Sequence, residues 1–336
     1  MNEIALTRRT LKDAVEQILV SESPELLART IPAQSIYISM KRRGLASSVE
    51  VIDLLSRDQL QLLLDFDLWH GDRFSEDQIW DWLELPDAEN DLSLLQRILP
   101  ALDLKCLCIL ISRHVESVTF DEPTENPPAP HYFTPDKGHT WIHITLEDDH
   151  KQFLLARLLA LIFETDANLF YKLLQISTLH TQSVLEEEAF EERDKRMLAE
   201  GIPDREMAFH LNEPLQFSSV QFNELEPLDV GVSDLKPIRP LIYSERLPKI
   251  LQRLAQEIRD FEVFEAELSL IMNGALVHFG TDLGDMEEVE LVTLAVRGAA
   301  CIGLELCERE LKASPIEAYS KLGLRRLYRI GLSRLV

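Results

Sequence analysis

The sequence predicts an all-α fold, mainly α with one β-hairpin, and three observations carry this prediction. Of the 336 residues 46% are apolar, whereas Gly and Pro number only 12 and 16, so long stretches contain no residue that interrupts a helix. Apolar side chains recur three and four residues apart, for example over residues 49–64, and this is the period of one helix face. A helix–break–helix pattern is also repeated. The helices are therefore expected to form either a helical bundle or an armadillo- or HEAT-like superhelix.

The repeated pattern has a period of 44 residues. Short breaks at residues 56–58 and 100–101 each separate two leucine-rich helical stretches. The aligned apolar positions are Val51, Leu54, Leu55, Leu60, Leu63 and Leu64 with Leu95, Ile98, Leu99, Leu104, Leu107 and Cys108. A helix pair repeated at this period is typical of armadillo and HEAT stacks. The irregular bundle stays open as the alternative, because leucine-rich helices resemble one another readily.

The one β element is predicted where the helical period stops, between residues 118 and 145. Residues 121–130 form a proline-rich surface loop. Residues 135–138 have the composition of a turn, and polar and apolar residues alternate on both sides of it, at 131–134 and 139–144. These two stretches are expected to pair as a hairpin that packs on helices, because an isolated hairpin is only marginally stable in water.

Helices are predicted again over residues 148–161, 166–179 and 184–200, and Gly201-Ile202-Pro203 ends the third. Five prolines from residue 211 to residue 248 predict a long connector and a domain boundary. The predicted organisation is N-terminal helical repeats (1–117), a proline-rich loop and hairpin (118–146), a helical continuation (147–210), a proline-rich connector (211–247) and a C-terminal helical domain (248–336).

Three segments make up the predicted C-terminal domain. Residues 248–279 are expected to form one or two helices, broken near Asn273-Gly274. Residues 286–311 are expected to form a long helix whose alanines and glycines let a neighbouring helix approach closely. Ser314 and Pro315 have the chemistry of a helix start and predict the last helix.

The excess of acidic side chains argues against one class of partner, nucleic acids. The chain has 58 acidic and 34 basic side chains and a net charge of −24, which argues against general nucleic-acid binding because a phosphate backbone is bound by neutralising it. No apolar run approaches the ~20 residues that span a bilayer, and the first residues lack the features of a signal peptide. The expected location is the cytoplasm. The four cysteines lack zinc or redox spacing and are expected to be small buried hydrophobes.

The candidate binding groove is a polar cluster around a tryptophan: Asp65, Asp67, Trp69, His70 and Asp72. Counted as a calcium loop, Asp65, Asp67 and Glu76 fall on ligand positions, but Trp69 and His70 stand where a ligand and a glycine are needed. The favoured interpretation is a helix end and a turn, with Trp69 buried and Ser75 capping the next helix.

The candidate metal ligands are three histidines around the predicted hairpin: His131, His139 and His143. His139 and His143 share one face of a strand, and His131 joins them only if the loop has three residues, because a four-residue loop places it opposite Ile142. Three imidazoles on one face suit zinc. Solvent-exposed histidines without metal are the alternative.

Two further segments have both a structural and a functional interpretation. The carboxylates of residues 281–288 suit a magnesium ion, but Asp285 also fits as the cap of the following helix. Residues 321–336 carry five basic side chains and no acidic one, which fits either a packed terminal helix or an amphipathic segment that contacts an acidic partner or another copy of the chain.

Several short segments resemble a bacterial family known only as domain of unknown function 6178. They are residues 63–72 (LLDFDLWHGD), 185–190 (LEEEAF) with Arg193 and Arg196, 201–203 (GIP), 302–306 (IGLEL) and 328–331 (YRIG). The similarity covers most of the chain, and the family implies no catalytic or binding residues. The N-terminal leucine pattern is also similar to the cytosolic superhelical domains of magnesium transporters and flagellar motor switch proteins.

Function is narrowed by what the sequence lacks. It has no dinucleotide fingerprint, P-loop, zinc-protease, C-x-x-C or nucleophile-elbow motif, which favours a non-enzymatic role and calls for no cofactor. The leading hypothesis is a protein–protein interaction scaffold that binds a protein partner along a groove. The alternatives are a regulator that responds to divalent cations through carboxylates such as Asp65 and Asp285, and a hydrolase that pairs His70 or His143 with a carboxylate.

Overall fold

The computed structural model describes residues 14–88, 92–220, 222, 249–258, 261–283 and 285–335. Within these ranges it is mainly α-helical, which confirms the predicted fold class. The first eight helices described are Ala14–Leu19 (α1), Pro24–Thr30 (α2), Ala33–Arg43 (α3), Val49–Ile52 (α4), Arg57–Asp67 (α5), Glu76–Ala88 (α6), Leu92–Ile98 (α7) and Leu104–His114 (α8). The next eight are Asp149–Thr165 (α9), Ala167–Leu179 (α10), Gln182–Ala199 (α11), Arg205–Leu211 (α12), Lys249–Glu257 (α13), Phe261–Phe279 (α14), Met286–Glu310 (α15) and Pro315–Leu332 (α16). The described strands are Trp69–His70 (β1), Arg73–Phe74 (β2), Val115–Thr119 (β3) and Thr140–Ile144 (β4).

The chain divides into two compact units. The central unit comprises Ile18–Ala33 and Arg43–Arg193, and the C-terminal unit comprises Met1–Gln17, Gln34–Arg42 and Asp194–Val336. The predicted connector, residues 211–247, lies largely outside the described residues. None of the described helices is long and apolar enough to cross a membrane.

Local capping explains where several helices of the central unit begin. Ser56 and Gln59 form a reciprocal capping box at the start of α5, in which each side chain accepts a hydrogen bond from the other residue's backbone N–H. Asp103 and Asp148 accept hydrogen bonds from backbone N–H groups in the first turns of α8 and α9. These short polar side chains satisfy donors that the helix itself leaves without partners.

Both copies of the 44-residue pattern form a short helix, a break and a longer helix: α4 with α5, and α7 with α8. The two breaks contact each other, because Arg57 Nε donates to the carbonyl of Pro100 at 2.8 Å and Arg97 donates to the carbonyls of Ile52 and Leu55. These carbonyls lie at helix ends and breaks, where the helix leaves them without partners. The local pattern therefore agrees with the sequence, while the assembly of such pairs into a superhelix stays a prediction.

The hairpin prediction was wrong in its pairing. Strand β4 pairs antiparallel with β3, and of residues 131–134 only Phe133 bridges to β4, at Ile142. His131 has a φ of +78°, which interrupts the extended backbone just before Phe133 and limits pairing on that side. A second, two-residue hairpin joins β1 to β2, where Gly71 adopts a φ of +64°.

In the C-terminal unit, α14 runs without a break through Asn273 and Gly274, contrary to the predicted interruption. Asn273 Nδ2 donates to the carbonyl of Gly201 at 3.1 Å. A Cβ on Gly274 would lie 2.9 Å from Leu211, so this glycine serves close packing rather than a helix end. The chain instead leaves the helix at Ile258, between α13 and α14.

Helices α15 and α16 pack at very short range, which confirms the packing role predicted for the small residues. A Cβ on Gly303 would lie 1.9 Å from the carbonyl oxygen of Leu327, and a Cβ on Gly331 would lie 1.7 Å from that of Ala299. Ser314 caps α16 by accepting from the Glu317 N–H, as predicted. The apolar side of this basic terminal helix is buried in the core, which confirms its packing; self-association through it stays a prediction.

Candidate functional site

The two carboxylates of the predicted binding cluster lie in the protein interior. Asp65 and Asp67, in the last turn of α5, are 4% and 5% exposed. Asp67 Oδ2 accepts a hydrogen bond from Trp82 Nε1 at 2.8 Å, and the backbone carbonyl of Asp65 accepts one from Arg193 Nε at 2.9 Å. The hydrogen bond from Trp82 stabilises the buried carboxylate of Asp67, whereas the bond from Arg193 is to the backbone of Asp65. Both side chains lie among core residues rather than at the surface.

The other three members of the cluster belong to the β1–β2 hairpin. Trp69 is buried, with its ring 5.8 Å from that of Phe74 and 5.6 Å from that of Phe190, as the helix-end interpretation predicts. His70 and Asp72 are exposed in the turn. The structure therefore separates the predicted cluster into two buried carboxylates, one buried ring and two exposed turn residues. Ligand binding by these five residues stays a prediction.

A charged network beside this hairpin escaped the sequence analysis. Glu76, at the start of α6, accepts hydrogen bonds from His114 Nε2 at 2.5 Å, from Arg113 at 3.0 Å and from Trp80 Nε1 at 3.2 Å. The hydrogen bond from His114, supported by Arg113, lowers the pKa of Glu76 to about 2, although partial burial opposes the shift. The carboxylate is thus ionised near neutral pH and is held by three donors.

The same network extends to α11. Arg113 also lies 3.6 Å from a carboxylate oxygen of Glu186, whose other oxygen accepts the Phe74 N–H at 2.9 Å. Glu76 and Glu186 therefore join β2, α6, α8 and α11 through Arg113. Because every described member of this network is occupied by another, the arrangement fits a structural role better than proton transfer to a substrate.

The three candidate metal ligands are not gathered into one site. The rings of His131 and His143 lie 6.3 Å apart, and His143 Nδ1 lies 3.5 Å from Glu116 Oε2. The Glu116 carboxylate also accepts from the Tyr132 hydroxyl at 3.1 Å. The bridge between Phe133 and Ile142 replaces both registers that the sequence analysis considered. Among the residues described, no three His, Cys, Asp or Glu side chains are grouped as a metal site requires. Zinc binding by His131, His139 and His143 stays a prediction.

The acidic turn at residues 281–288 caps a helix. Asp285 accepts hydrogen bonds from the backbone N–H groups of Glu287 and Glu288 at 3.0 and 3.1 Å, at the start of α15. This confirms the capping interpretation. The cysteines are also buried as predicted, and burial raises the pKa of the Cys301 thiol to about 12, so the reactive thiolate is scarce near neutral pH.

The open edge of β3 is a further feature that the sequence analysis missed. At the two ends of the ladder the Thr145 N–H donates to the His114 carbonyl and the Phe120 N–H donates to the His139 carbonyl. The alternation of an antiparallel ladder then points the backbone groups of Glu116 and Val118 toward β4 and those of Ser117 and Thr119 away from it. Ile142, opposite Ser117, accordingly exchanges both of its backbone hydrogen bonds with Phe133 on the far side.

Ser117 and Thr119 consequently present unpaired backbone groups. Within the described part of the chain no hydrogen bond involves the backbone N–H or carbonyl of either residue, and both side chains are exposed. An exposed strand edge of this kind is a ready template for another extended chain.

A shallow groove with a volume of about 310 Å³ runs beside this edge, and we call it the β3 groove. Its walls come from α8, β3 and α10: Ile111, Ser112, Val115, Glu116, Ser117, Leu174, Ser177 and Thr178. The hydroxyls on the two helices donate to carbonyls of their own helix, for example Thr178 Oγ1 to Leu174 at 2.7 Å. Their lone pairs therefore remain as acceptors, and Glu116 is the one charged side chain among these eight.

Comparison with known proteins assigns nearly the whole chain to one protein family. A family model described as a family of unknown function (DUF6178) matches residues 6–336. The chain belongs to this family. The resemblance that the sequence motifs predicted is therefore confirmed. No curated protein and no solved structure matches the chain significantly, so the likeness to magnesium-transporter and flagellar motor switch superhelices stays a prediction.

Proposed function

We propose that this protein is a non-catalytic interaction scaffold that binds a partner protein by taking up an extended segment of it as an extra strand on β3. The observation that carries the proposal is the row of unpaired backbone groups at Ser117 and Thr119 beside the β3 groove. Strand addition of this kind obtains affinity from backbone hydrogen bonds and specificity from alternate side chains.

The composition of β3 supports this role. The strand reads Val-Glu-Ser-Val-Thr and contains neither the proline nor the lysine with which proteins commonly protect an exposed edge. Ser117 and Thr119 offer two donors and two acceptors, and each backbone hydrogen bond contributes about 0.5–1.5 kcal/mol net. These four hydrogen bonds contribute about 2–6 kcal/mol together, so the side chains of the partner must supply the rest of the binding free energy.

The polar clusters elsewhere in the central unit give less support to catalysis or cation sensing. Asp67 is buried against Trp82, and the Glu76 carboxylate is occupied by His114, Arg113 and Trp80. The walls of the β3 groove combine hydroxyls with one carboxylate and include no histidine or lysine that would activate a nucleophile.

The test uses a display library of random ten-residue peptides, selected against the full chain, with two matched variants. Ser117→Pro removes the outward N–H and places a ring on the open edge, yet it leaves the β3–β4 ladder intact because that N–H faces away from β4. Ser117→Ala removes only the hydroxyl. We expect enriched peptides that bind the parent chain and Ser117→Ala equally and Ser117→Pro about tenfold more weakly.

Two results would contradict the proposal. One is a selection that enriches no peptide above background, and the other is a set of peptides that bind all three proteins equally. Circular dichroism and urea unfolding of each variant establish that Ser117→Pro remains folded, so a loss of binding reports on the edge itself.

A further inference from the structure

We infer that the strand accepted by β3 carries a lysine or arginine opposite Glu116 and uncharged side chains at the two neighbouring positions. The inference rests on the proposed function, because it describes the side chains of the strand that β3 would take up. The side chains that the partner needs follow from what each face of β3 offers.

The two faces of β3 differ in their surroundings. Val115, Ser117 and Thr119 share a face with Ile144, Ile142 and Thr140, respectively, because directly opposed residues of a ladder point to the same side. These three β4 residues are 3%, 0% and 1% exposed, whereas Ser117 and Thr119 are exposed, so this face is buried along β4 and open along β3, beside the groove. Side chains of an added strand on this face would enter the groove between β3 and the helices.

That part of the groove suits uncharged side chains. Its floor combines the apolar side chains of Ile111 and Leu174 with the hydroxyls of Ser177 and Thr178. The Ser177 hydroxyl donates to the Leu173 carbonyl at 2.7 Å, so it is already occupied as a donor. Glu116 also borders the groove, but its side chain points to the other face of β3. A charged group on the Ser117 face would therefore lose hydration without gaining a counter-charge, and this cost disfavours it.

The other face of β3 presents a carboxylate. The Glu116 side chain is 63% exposed, and it shares its face with Val118, His143 and the buried Trp141. A residue directly opposite Glu116 on an added strand would have its Cβ about 4.5–5.5 Å away, within reach of a lysine or arginine head group. The Tyr132 hydroxyl at 3.1 Å and His143 Nδ1 at 3.5 Å both lie against Oε2 of Glu116, which leaves Oε1 to accept from a further donor. With a net charge of −24 on the chain, attraction of a basic segment also operates at longer range.

A second copy of this chain fits the edge less well. Antiparallel pairing about Ser117 would place Glu116 opposite Val118 of the other copy, and this supplies no cation. Each copy would also bring a charge of −24 to the complex. A basic segment of a different protein is thus the occupant that the charges favour.

The experiment repeats the peptide selection on the full chain with the parent Glu116, with Glu116→Gln and with Glu116→Lys. The parent is expected to enrich lysine or arginine at one fixed position of the peptide. For such a peptide, replacement of that residue by glutamine should weaken binding to the parent roughly fivefold and leave binding to Glu116→Gln unchanged. Glu116→Lys should instead enrich aspartate or glutamate at that position.

The outcomes separate this inference from the proposed function. Peptides that are sensitive to Ser117→Pro but show no charged position would overturn the inference and leave strand addition standing. A selection that yields no peptide sensitive to Ser117→Pro would overturn both. Sedimentation that shows a dimer of the parent chain, lost in Ser117→Pro, would assign the edge to a second copy and so refute a basic partner. Glu116→Gln keeps an acceptor for Tyr132, and its unfolding midpoint controls for damage to the sheet.

Discussion

The Glu76 carboxylate accepts a hydrogen bond from His114 Nε2 at 2.5 Å, although 38 residues separate the two in the chain. This contact ties the start of α6 to the end of α8, and Arg113 and Trp80 complete the hydrogen bonding of the carboxylate. The carboxylate also accepts these bonds at a helix N-terminus, where the helix dipole favours a negative charge. The charge of Glu76 is accordingly a component of the stability of the central unit.

Glu76→Gln should lower the free energy of unfolding by about 1–3 kcal/mol, because the neutral amide accepts weaker hydrogen bonds from His114 and Arg113 and its NH₂ group cannot accept any. Urea unfolding at pH 7 measures the change. Glu147→Gln is the matched control, since Glu147 is exposed and no described contact involves its side chain. A loss within 0.5 kcal/mol of the control would contradict a stabilising role for the Glu76 network.

The lowered pKa of Glu76 also predicts how stability depends on pH. The pKa falls from an ordinary value of 4.5 to about 2 in the folded protein, mainly through the hydrogen bond from His114. The resulting stabilisation is fully present above pH 4.5 and is lost as the pH falls from 4.5 toward 2, because the unfolded chain then binds the proton first. Urea unfolding at pH 5 and pH 3 should show a smaller loss in Glu76→Gln than in the parent. Equal losses in the two proteins would rule out the shift.

The close packing of α15 and α16 predicts opposite effects for glycine substitutions in α15. Gly303→Ala should destabilise the fold by about 3 kcal/mol or more, because the new methyl group would lie 1.9 Å from the carbonyl oxygen of Leu327. Gly298→Ala is the matched control, since a Cβ there meets no atom within 4 Å. It should stabilise the helix by about 0.5–1 kcal/mol. Thermal unfolding compares the two variants, and equal midpoints would refute the close approach.

Gly331→Ala probes the same interface from α16. Its methyl group would lie 1.7 Å from the carbonyl oxygen of Ala299, so a loss as large as that of Gly303→Ala is expected. The two glycines serve one interface, so the double variant should lose less than the sum of the single losses. Additive losses in thermal or urea unfolding would indicate that the two sites are independent.

Asp67 and Asp72 were predicted in one binding cluster, and the structure predicts different effects for their replacement. Asp67→Ala should cost about 1–3 kcal/mol, because it leaves the buried Trp82 N–H without its acceptor. Asp72→Ala should change stability by less than about 0.5 kcal/mol, since Asp72 is exposed. Urea unfolding of both variants measures this contrast. Similar effects of the two substitutions would contradict the buried placement of Asp67.

The local features of this fold were predictable from the sequence. The caps at Ser314 and Asp285 and the stop at Gly201 occur where the sequence places them, because a cap is made by residues within four positions of one another. The small residues of α15 likewise indicated close packing, although the sequence does not reveal that α16 is the neighbour. The predicted break at Asn273-Gly274 failed because the contacts that these two residues make there come from Gly201 and Leu211, which lie 72 and 63 positions earlier.

The candidate site was less predictable, because its contacts also come from residues that are distant in the sequence. Acidic residues near Trp69 suggested a groove, yet two of them are buried because α5 directs Asp65 and Asp67 into the core. The contacts of Glu76 with Arg113 and His114, and the pairing of β3 with β4, join residues that are more than 20 positions apart. The β-branched residues Val115, Val118 and Thr119 favour a strand, but nothing in the local pattern shows that its partner is β4.

The sequence by itself determined that the chain is mainly helical, that it is strongly acidic, where many of its helices begin, and which family it belongs to, because each of these depends on composition, on periodicity or on short motifs. Only the tertiary structure decided the partner of β4, the open edge at Ser117 and the ionised, hydrogen-bonded state of Glu76. Those features depend on which distant segments meet, and a segment's own residues do not specify its neighbours in space. The proposed interaction surface also depends on the tertiary structure, since an unpaired strand edge exists only once the rest of the sheet has formed.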